Sequence, residues 1–198
     1  MTAVHDHPFP GVTPLDPDQA ADLIPGHVRT REQLNVWEQE NILVAARWTQ
    51  RTRFAALEER TIRELHRRMF DRTWGWAGTY RRSDKNIGVE WSSIPEEVRK
   101  LVDDGAYWIR EAVYAIDEAA VRLHHRLVRI HPFPDGNGRH ARLWCDLLLK
   151  QNGRRPILWQ SDQLGSAGKA RRAYISSLRA ADGGNLEPLL ELLLSGRS

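Results

Sequence analysis

Cysteine is almost missing from this chain of 198 residues: Cys145 stands alone. A single thiol excludes an intramolecular disulfide framework and fits a reducing compartment, so a cytoplasmic protein is expected. Cys145 lies inside LWCDLLL and reads as a small buried apolar residue rather than a reactive thiol. Long hydrophobic runs are missing too, and none approaches the length of a membrane span. The opening MTAVHDHPFPGV has no apolar core segment, so no secretory signal is expected. Charge of one sign is not in large excess: 29 Lys and Arg against 26 Asp and Glu leave +3. That balance suits an anionic small ligand such as a nucleotide and is only weak evidence for nucleic acid; the clusters RRMFDR, YRRSDK and GKARR read as solvated faces, so direct nucleic-acid binding is not expected.

What is present is 41% hydrophobic and 28% charged residues, the make-up of an ordinary globular domain with a core of its own. Residues 1–29, rich in Pro, Asp and Gly, read as an extended arm with one short turn at DPDQAADLI. Helical spacing follows in TREQLNVWEQENILVAARW, through Leu34, Trp37, Val44 and Trp48, with Thr30 as N-cap. It recurs in AALEERTIRELHRRMF, PEEVRKLVDDGAYWIREAVY (Val98, Leu101, Val102, Trp108, Ile109) and DEAAVRLHHRLVRI. After the joint it continues in RHARLWCDLLLKQNG, with Gly153 as C-cap, then GKARRAYISSLRAAD and LEPLLELLL. Between them, DRTWGWAGTYRRSDKNIGVEWSSIP breaks the rhythm and reads as an irregular connection with a small exposed β-hairpin, ending where Pro95 starts a helix. The fold class is therefore all-α with one minor hairpin. The eight Trp read as core and rim packing rather than an adenine cage.

The joint HPFPDGNGRHAR, residues 131–142, asks for more than a turn. Pro132, Pro134, Gly136 and Gly138 need only a connection between helices. The other positions describe a phosphate site. A helix beginning near Asn137 offers free N–H groups and a positive dipole end, and glycines let an anion come close. Arg139 and Arg142, three apart, share a face and suit phosphate oxygens, although Arg142 also has Asp146 one turn away. Asp135 makes sense as the ligand of a divalent cation bridging phosphates, as magnesium uses one or two carboxylates. His131 is the nearby group with a pKa suited to taking a proton, and Phe133 is expected to pin the loop into the core. His124, two turns earlier, reads as a hydrogen-bonded core histidine.

His131 to Arg142 resembles the signature of the Fic family, H-x-F-x-(D/E)-G-N-G-R-x-x-R, with every specified position filled. LHRRMF, WAGTYR, NIGVEWSSIP and HHRLVRIHPF extend the likeness upstream, and the texture of residues 30–195 is most like the mobile mystery protein B branch. The resemblance implies a Fic-type helical domain over 30–198, with a β-hairpin flap at about 81–94 and the motif at 131–142. It implies a cytoplasmic, Mg²⁺-dependent protein adenylyltransferase that moves AMP from ATP to a Ser, Thr or Tyr hydroxyl of a target protein. It also implies a toxin-like role beside a helix-turn-helix, antitoxin-like partner encoded nearby on a mobile element.

Carried over by position, His131 would be the base and Asp135 the Mg²⁺ ligand. Gly136, Asn137 (backbone and side chain) and Gly138 would cradle the phosphates, and Arg139 and Arg142 would neutralise them. Ile87, Gly88 and Val89 would dock the target segment by strand addition. The kinase-like Doc branch replaces the second loop glycine by Lys; Gly138 is kept here, which favours AMP transfer. The alternatives are a Fic-fold phosphotransferase or a nucleotide-binding module without turnover. VWEQEN carries the Glu–Asn pair of the inhibitory pattern (S/T)-x-x-x-E-(G/N), with Val36 at the hydroxyl position. Glu40 is thus a candidate inhibitory residue, and the segment fits a plain core helix equally well.

Overall fold

Each helical stretch in the sequence becomes a helix. The structure, a computed structural model, describes residues 22–26, 31–159 and 168–195. Among these, α1 is Arg31–Thr49, α2 Glu59–Phe70, α3 Ile94–Arg110, α4 Ile116–Ile130, α5 Asn137–Gln151, α6 Lys169–Asp182 and α7 Glu187–Leu194. The expected arm is described only at residues 22–26, where Leu23 forms one antiparallel bridge with Trp74; most of the arm, and Thr30, lie outside the described residues. Pro95 sits in the first turn of α3, where its missing N–H costs nothing. Gly153 follows α5 at φ +71°, as a helix-ending glycine does. No described helix is long and apolar enough to cross a membrane.

The centre is α4 against α5, with α2 and α3 laid on one side and α6 and α7 on the other. Leu123, Leu127, Trp144 and Cys145 are buried there, and each fully buried aliphatic side chain contributes roughly 1.5–3 kcal/mol. Trp144 donates its indole N–H to the Ala56 carbonyl at 2.9 Å, tying the approach to α2 onto α5. Cys145 is buried as expected, its Sγ directed at the Ala120 carbonyl. On α3, Val98 and Leu101 are fully buried, whereas Val102, Trp108 and Ile109 pack at its edge.

Helix α1 departs from the expected apolar stripe. Val44 is 44% exposed, and the buried line runs Leu34, Glu38, Asn41, Ala45, the i, i+4, i+7, i+11 face of a helix. Its middle is polar because it meets polar partners: Asn41 donates to Thr73 Oγ1 at 3.0 Å, and Trp74 Nε1 donates to Glu38 at 2.8 Å.

The β-hairpin at 81–94 does not form. Residues 81–90 are irregular, followed by a short 3₁₀ turn, Trp91–Ser93. The reason lies in where the backbone groups go. Arg81 N–H donates to the Pro132 carbonyl at 2.9 Å and Val89 N–H to the Ile130 carbonyl at 3.3 Å. Groups that would have paired across a hairpin are instead spent on the joint between α4 and α5.

Candidate active site

At that joint α4 stops on His131, which adopts the left-handed conformation (φ 54°, ψ 57°) at the helix C-cap. For a residue other than glycine this costs on the order of 1–3 kcal/mol and persists only where the surroundings enforce it. The enforcing group is Arg81, whose side chain is completely buried. Its Nε donates to the His131 carbonyl at 2.8 Å. One terminal nitrogen donates to Ser83 O at 2.9 Å and the other to Val89 O. Arg81 belongs to YRRSDK, read from sequence as a solvated face; it is instead the hub joining the 81–90 loop to His131.

The rest of the joint is braced from three directions. Asn137 accepts from the Phe133 N–H at 2.9 Å and donates to the Phe133 carbonyl at 2.8 Å, so both side-chain atoms hold the loop rather than face a ligand. Phe133 is fully buried and stacks on His66 at 3.7 Å between centroids. Gly78 N–H donates to His66 Nδ1, which leaves the ring hydrogen on Nε2 to donate to the Asp135 carbonyl at 3.0 Å. Burial holds the His66 pKa well below the ordinary value, as a neutral bracing ring requires. Gly136, at φ +75°, has no room for a side chain: a Cβ there would stand 2.4 Å from the Phe70 ring.

The charged residues gather at the start of α5. Arg139 pairs with Glu38 at 2.5 Å and lies 3.5 Å from Asp135 Oδ2. Glu38 is nearly buried and takes the Trp74 indole on its other oxygen. Arg142 lies against Tyr174 of α6, its guanidinium carbon 5.9 Å from the ring centroid, while Asp146 accepts from Ile157 and Trp159 N–H groups. A Cβ on Gly138 would meet nothing closer than an Arg142 nitrogen at 3.8 Å. Among the described residues nothing needs that glycine to be small, and the space over it is flanked by Arg142. Among the described residues no three His, Cys, Asp or Glu side chains converge on a metal position, so a cation at Asp135 would complete its shell with water and phosphate oxygens, the usual habit of magnesium.

Ile87 (48% exposed), Gly88 and Val89, the residues expected to dock a target, sit over His131. Gly88 has φ +101°, and a Cβ there would lie 2.7 Å from His131 Cβ. His131, Asp135, Gly136, Asn137, Gly138, Arg139, Arg142 and the 87–89 loop thus share one joint. Glu40 does not join them: it is exposed on α1, and Glu38, two residues earlier, is the carboxylate that reaches the motif.

Burial first, then the charge of Arg81, lowers the His131 pKa to about 4, so the ring is neutral and able to accept a proton at pH 7. Burial also lowers His124 and His140 to about 3; each is hydrogen-bonded, to Tyr174 and to the Ile62 carbonyl. The expected core role of His124 holds. Unfolded, all three rings bind protons near pH 6.5, and folded they do not. Their contribution to stability is complete above that pH and is lost as pH falls towards 4, at about 1.4 kcal/mol per pH unit for each ring. The melting temperature should therefore hold from pH 8 to 7 and drop steeply from 6.5 to 5. A level profile across that window would show that these rings protonate without unfolding.

A family profile described as the Fic/DOC family matches residues 56–149. This chain carries a Fic/DOC family domain. The protein adenylyltransferase fic-1 of Caenorhabditis briggsae is 33% identical over 133 residues, covering 65% of this chain and 25% of that protein; the chain spans about a quarter of the length of such curated relatives. Fic-1 residues 134–508 from C. elegans superpose with a TM-score of 0.65 at 26% identity, over 88% of this chain and 51% of that one. The N-terminal Fic domain of a Bep effector from Bartonella quintana with bound ADP gives 0.66 at 20% identity, over 85% and 86%. One contributor to the joint, Glu38, lies outside the matched Fic segment.

Proposed function

We propose that the chain is a protein adenylyltransferase, transferring AMP from ATP to a Ser, Thr or Tyr hydroxyl of a target protein with release of pyrophosphate. The observation that carries this reading is a neutral, solvent-shielded base held in a costly backbone conformation beside the open N-terminus of α5. Strain kept at a non-glycine residue by a buried arginine has no use in a plain connection. The adenylyltransferase activity of the fic-1 relative and the ADP bound to the Bartonella Fic domain support it.

In this mechanism the triphosphate lies over Gly136, Asn137 and Gly138, on backbone N–H groups at the positive end of α5. Asp135 would hold Mg²⁺, which would offset phosphate charge. Arg142 and Arg139 face the outer phosphates, Arg139 with part of its charge already committed to Glu38. The 87–89 loop holds a target segment beside His131. His131 removes the hydroxyl proton as that oxygen bonds to the α-phosphorus, the α–β bridging bond breaks, and pyrophosphate leaves. Positioning and charge compensation supply most of the acceleration. Within this reading the chain is cytoplasmic and toxin-like, a member of the mobile mystery protein B branch restrained by a helix-turn-helix partner.

The test is the position of the label. Incubated with a cell lysate, Mg²⁺ and ATP, the protein should mark target protein when the α-phosphate is labelled and leave it unmarked when the γ-phosphate is. Marking from the γ position alone would make it a phosphotransferase. Bound ATP with no marking from either would make it a binding module.

A further inference from the structure

We infer that Glu38 is a positioning residue that holds Arg139 clear of Asp135, so that the Asp135 carboxylate stays open to a divalent cation; the inference rests on the adenylyltransferase reading. Arg139 stands between two carboxylates and is not shared equally. Its Nη1 donates to Glu38 Oε2 at 2.5 Å, whereas its Nη2 lies 3.5 Å from Asp135 Oδ2. A charge-assisted pair of this kind closes to about 2.7–2.9 Å when nothing opposes it. The contact with Glu38 is made and the contact with Asp135 is stretched. Among the described residues the Asp135 carboxylate accepts no hydrogen bond, and Arg139 is the cation beside it. If the two closed, an incoming metal ion would have to displace the guanidinium; Glu38 removes that competition in advance.

Glu38 can hold the guanidinium because it is itself held. It is 3% exposed, and its other oxygen, Oε1, accepts from the Trp74 indole at 2.8 Å. The helix that carries it is tied to the same stretch by its neighbours. Trp37 Nε1 donates to the Arg72 carbonyl at 3.1 Å and Asn41 Nδ2 to Thr73 Oγ1 at 3.0 Å. On the other side, the guanidinium carbon of Arg139 rests 5.0 Å from the centre of the Phe70 ring, the ring that also closes on Gly136. Arg139 is thus fixed at one end by a buried carboxylate and on one face by an aromatic ring, with 32% of its side chain exposed. Glu38 precedes the segment matched by the Fic profile; the grip on Arg139 is supplied by this chain's own α1.

Glu38→Gln keeps the size of the side chain and removes its charge. A crystal structure of the nucleotide-free variant should show Arg139 Nη2 closed onto Asp135 at about 2.7–2.9 Å. Calorimetric titration with ATP at rising Mg²⁺ should show the half-saturating Mg²⁺ concentration raised about tenfold, the size of a hydrogen bond to a charged group. ATP in EDTA should bind the variant at least as tightly as the parent, because one negative charge has left the site. In the Arg139→Ala background, Glu38→Gln should change the Mg²⁺ requirement less than about twofold, because the two act as one unit. A purely structural brace would, when lost, weaken ATP with and without metal alike. A carboxylate that restrains the site by occupying Arg139 would, when lost, tighten both. Either pattern, or an Arg139 that does not approach Asp135, overturns the inference. Should Glu38→Gln not fold, Glu38→Asp draws the carboxylate back by about 1.5 Å and should raise the Mg²⁺ requirement about threefold, again only with Arg139 present. If the unaltered protein takes up no ATP at any Mg²⁺ concentration, the adenylyltransferase reading falls, and the position of Arg139 in the variant alone decides whether Glu38 holds it off Asp135.

Discussion

His131→Ala should leave a folded protein that still binds MgATP within about twofold but transfers α-phosphate label roughly 1000-fold more slowly, within the range general-base removal costs. The ring is not needed to build the joint. What shapes the backbone there is the grip of Arg81 on the His131 carbonyl, and that contact survives the loss of the side chain. Nor does the ring face the phosphates, which sit over the start of α5 in the proposed mechanism. Its removal also takes away one group whose depressed pKa drains stability in acid, so the variant should melt at or above the parent temperature at pH 5.5. Initial rates of protein labelling against a calorimetric affinity separate the two roles. Labelling at the parent rate would assign the base elsewhere, and loss of MgATP binding together with labelling would make His131 part of the nucleotide cradle.

Gly136→Ala should be the most damaging single methyl in the molecule. The added Cβ meets the Phe70 ring at 2.4 Å, on a backbone with φ +75°. The left-handed conformation costs alanine on the order of 1–2 kcal/mol, and overpacking a closed core adds about 1–3. At a few degrees per kcal/mol for a chain of this size, the melting temperature should fall by roughly 10 °C. Gly138→Ala is the control. It has open space and a helical position, where alanine improves stability by up to about 1 kcal/mol. It should melt no lower than the parent while weakening MgATP binding sharply, because the methyl fills the space the phosphates require. Equal melting temperatures for the two variants would mean that the tight approach of Phe70 to the loop is not a feature of the folded protein.

The helices were legible because each carries its own period of buried residues, a local property. The joint was legible because its residues are contiguous: His131, Asp135, the glycines and the arginines fall within twelve positions. The hairpin was misread for the opposite reason. NIGVEW has the look of a strand, but the partner of Val89 is Ile130, forty-one positions on, and no local pattern announces that. Arg81 was hidden in a basic run whose other arginine, Arg82, is exposed; a charge run read as one object conceals the member that turns inward. Glu38 was within reach of a helical reading, since it lies four residues after the buried Leu34, whereas Glu40 points about 200° away round the helix. His66 acts on the joint from 69 residues away, on Asp135, a pairing made only by the packing of α2 against the start of α5.

Arg81 has one more consequence. A single guanidinium grips both His131, the proposed base, and the loop that lies over it, so the two are one mechanical body. Anyone grafting residues 82–90 from another protein to redirect this chain to a new target would also reset the base, unless the graft returns a carbonyl to the place of Val89 and a glycine to the place of Gly88. Specificity and rate are not separable parts here, and a loop library built on this scaffold should be screened for both at once.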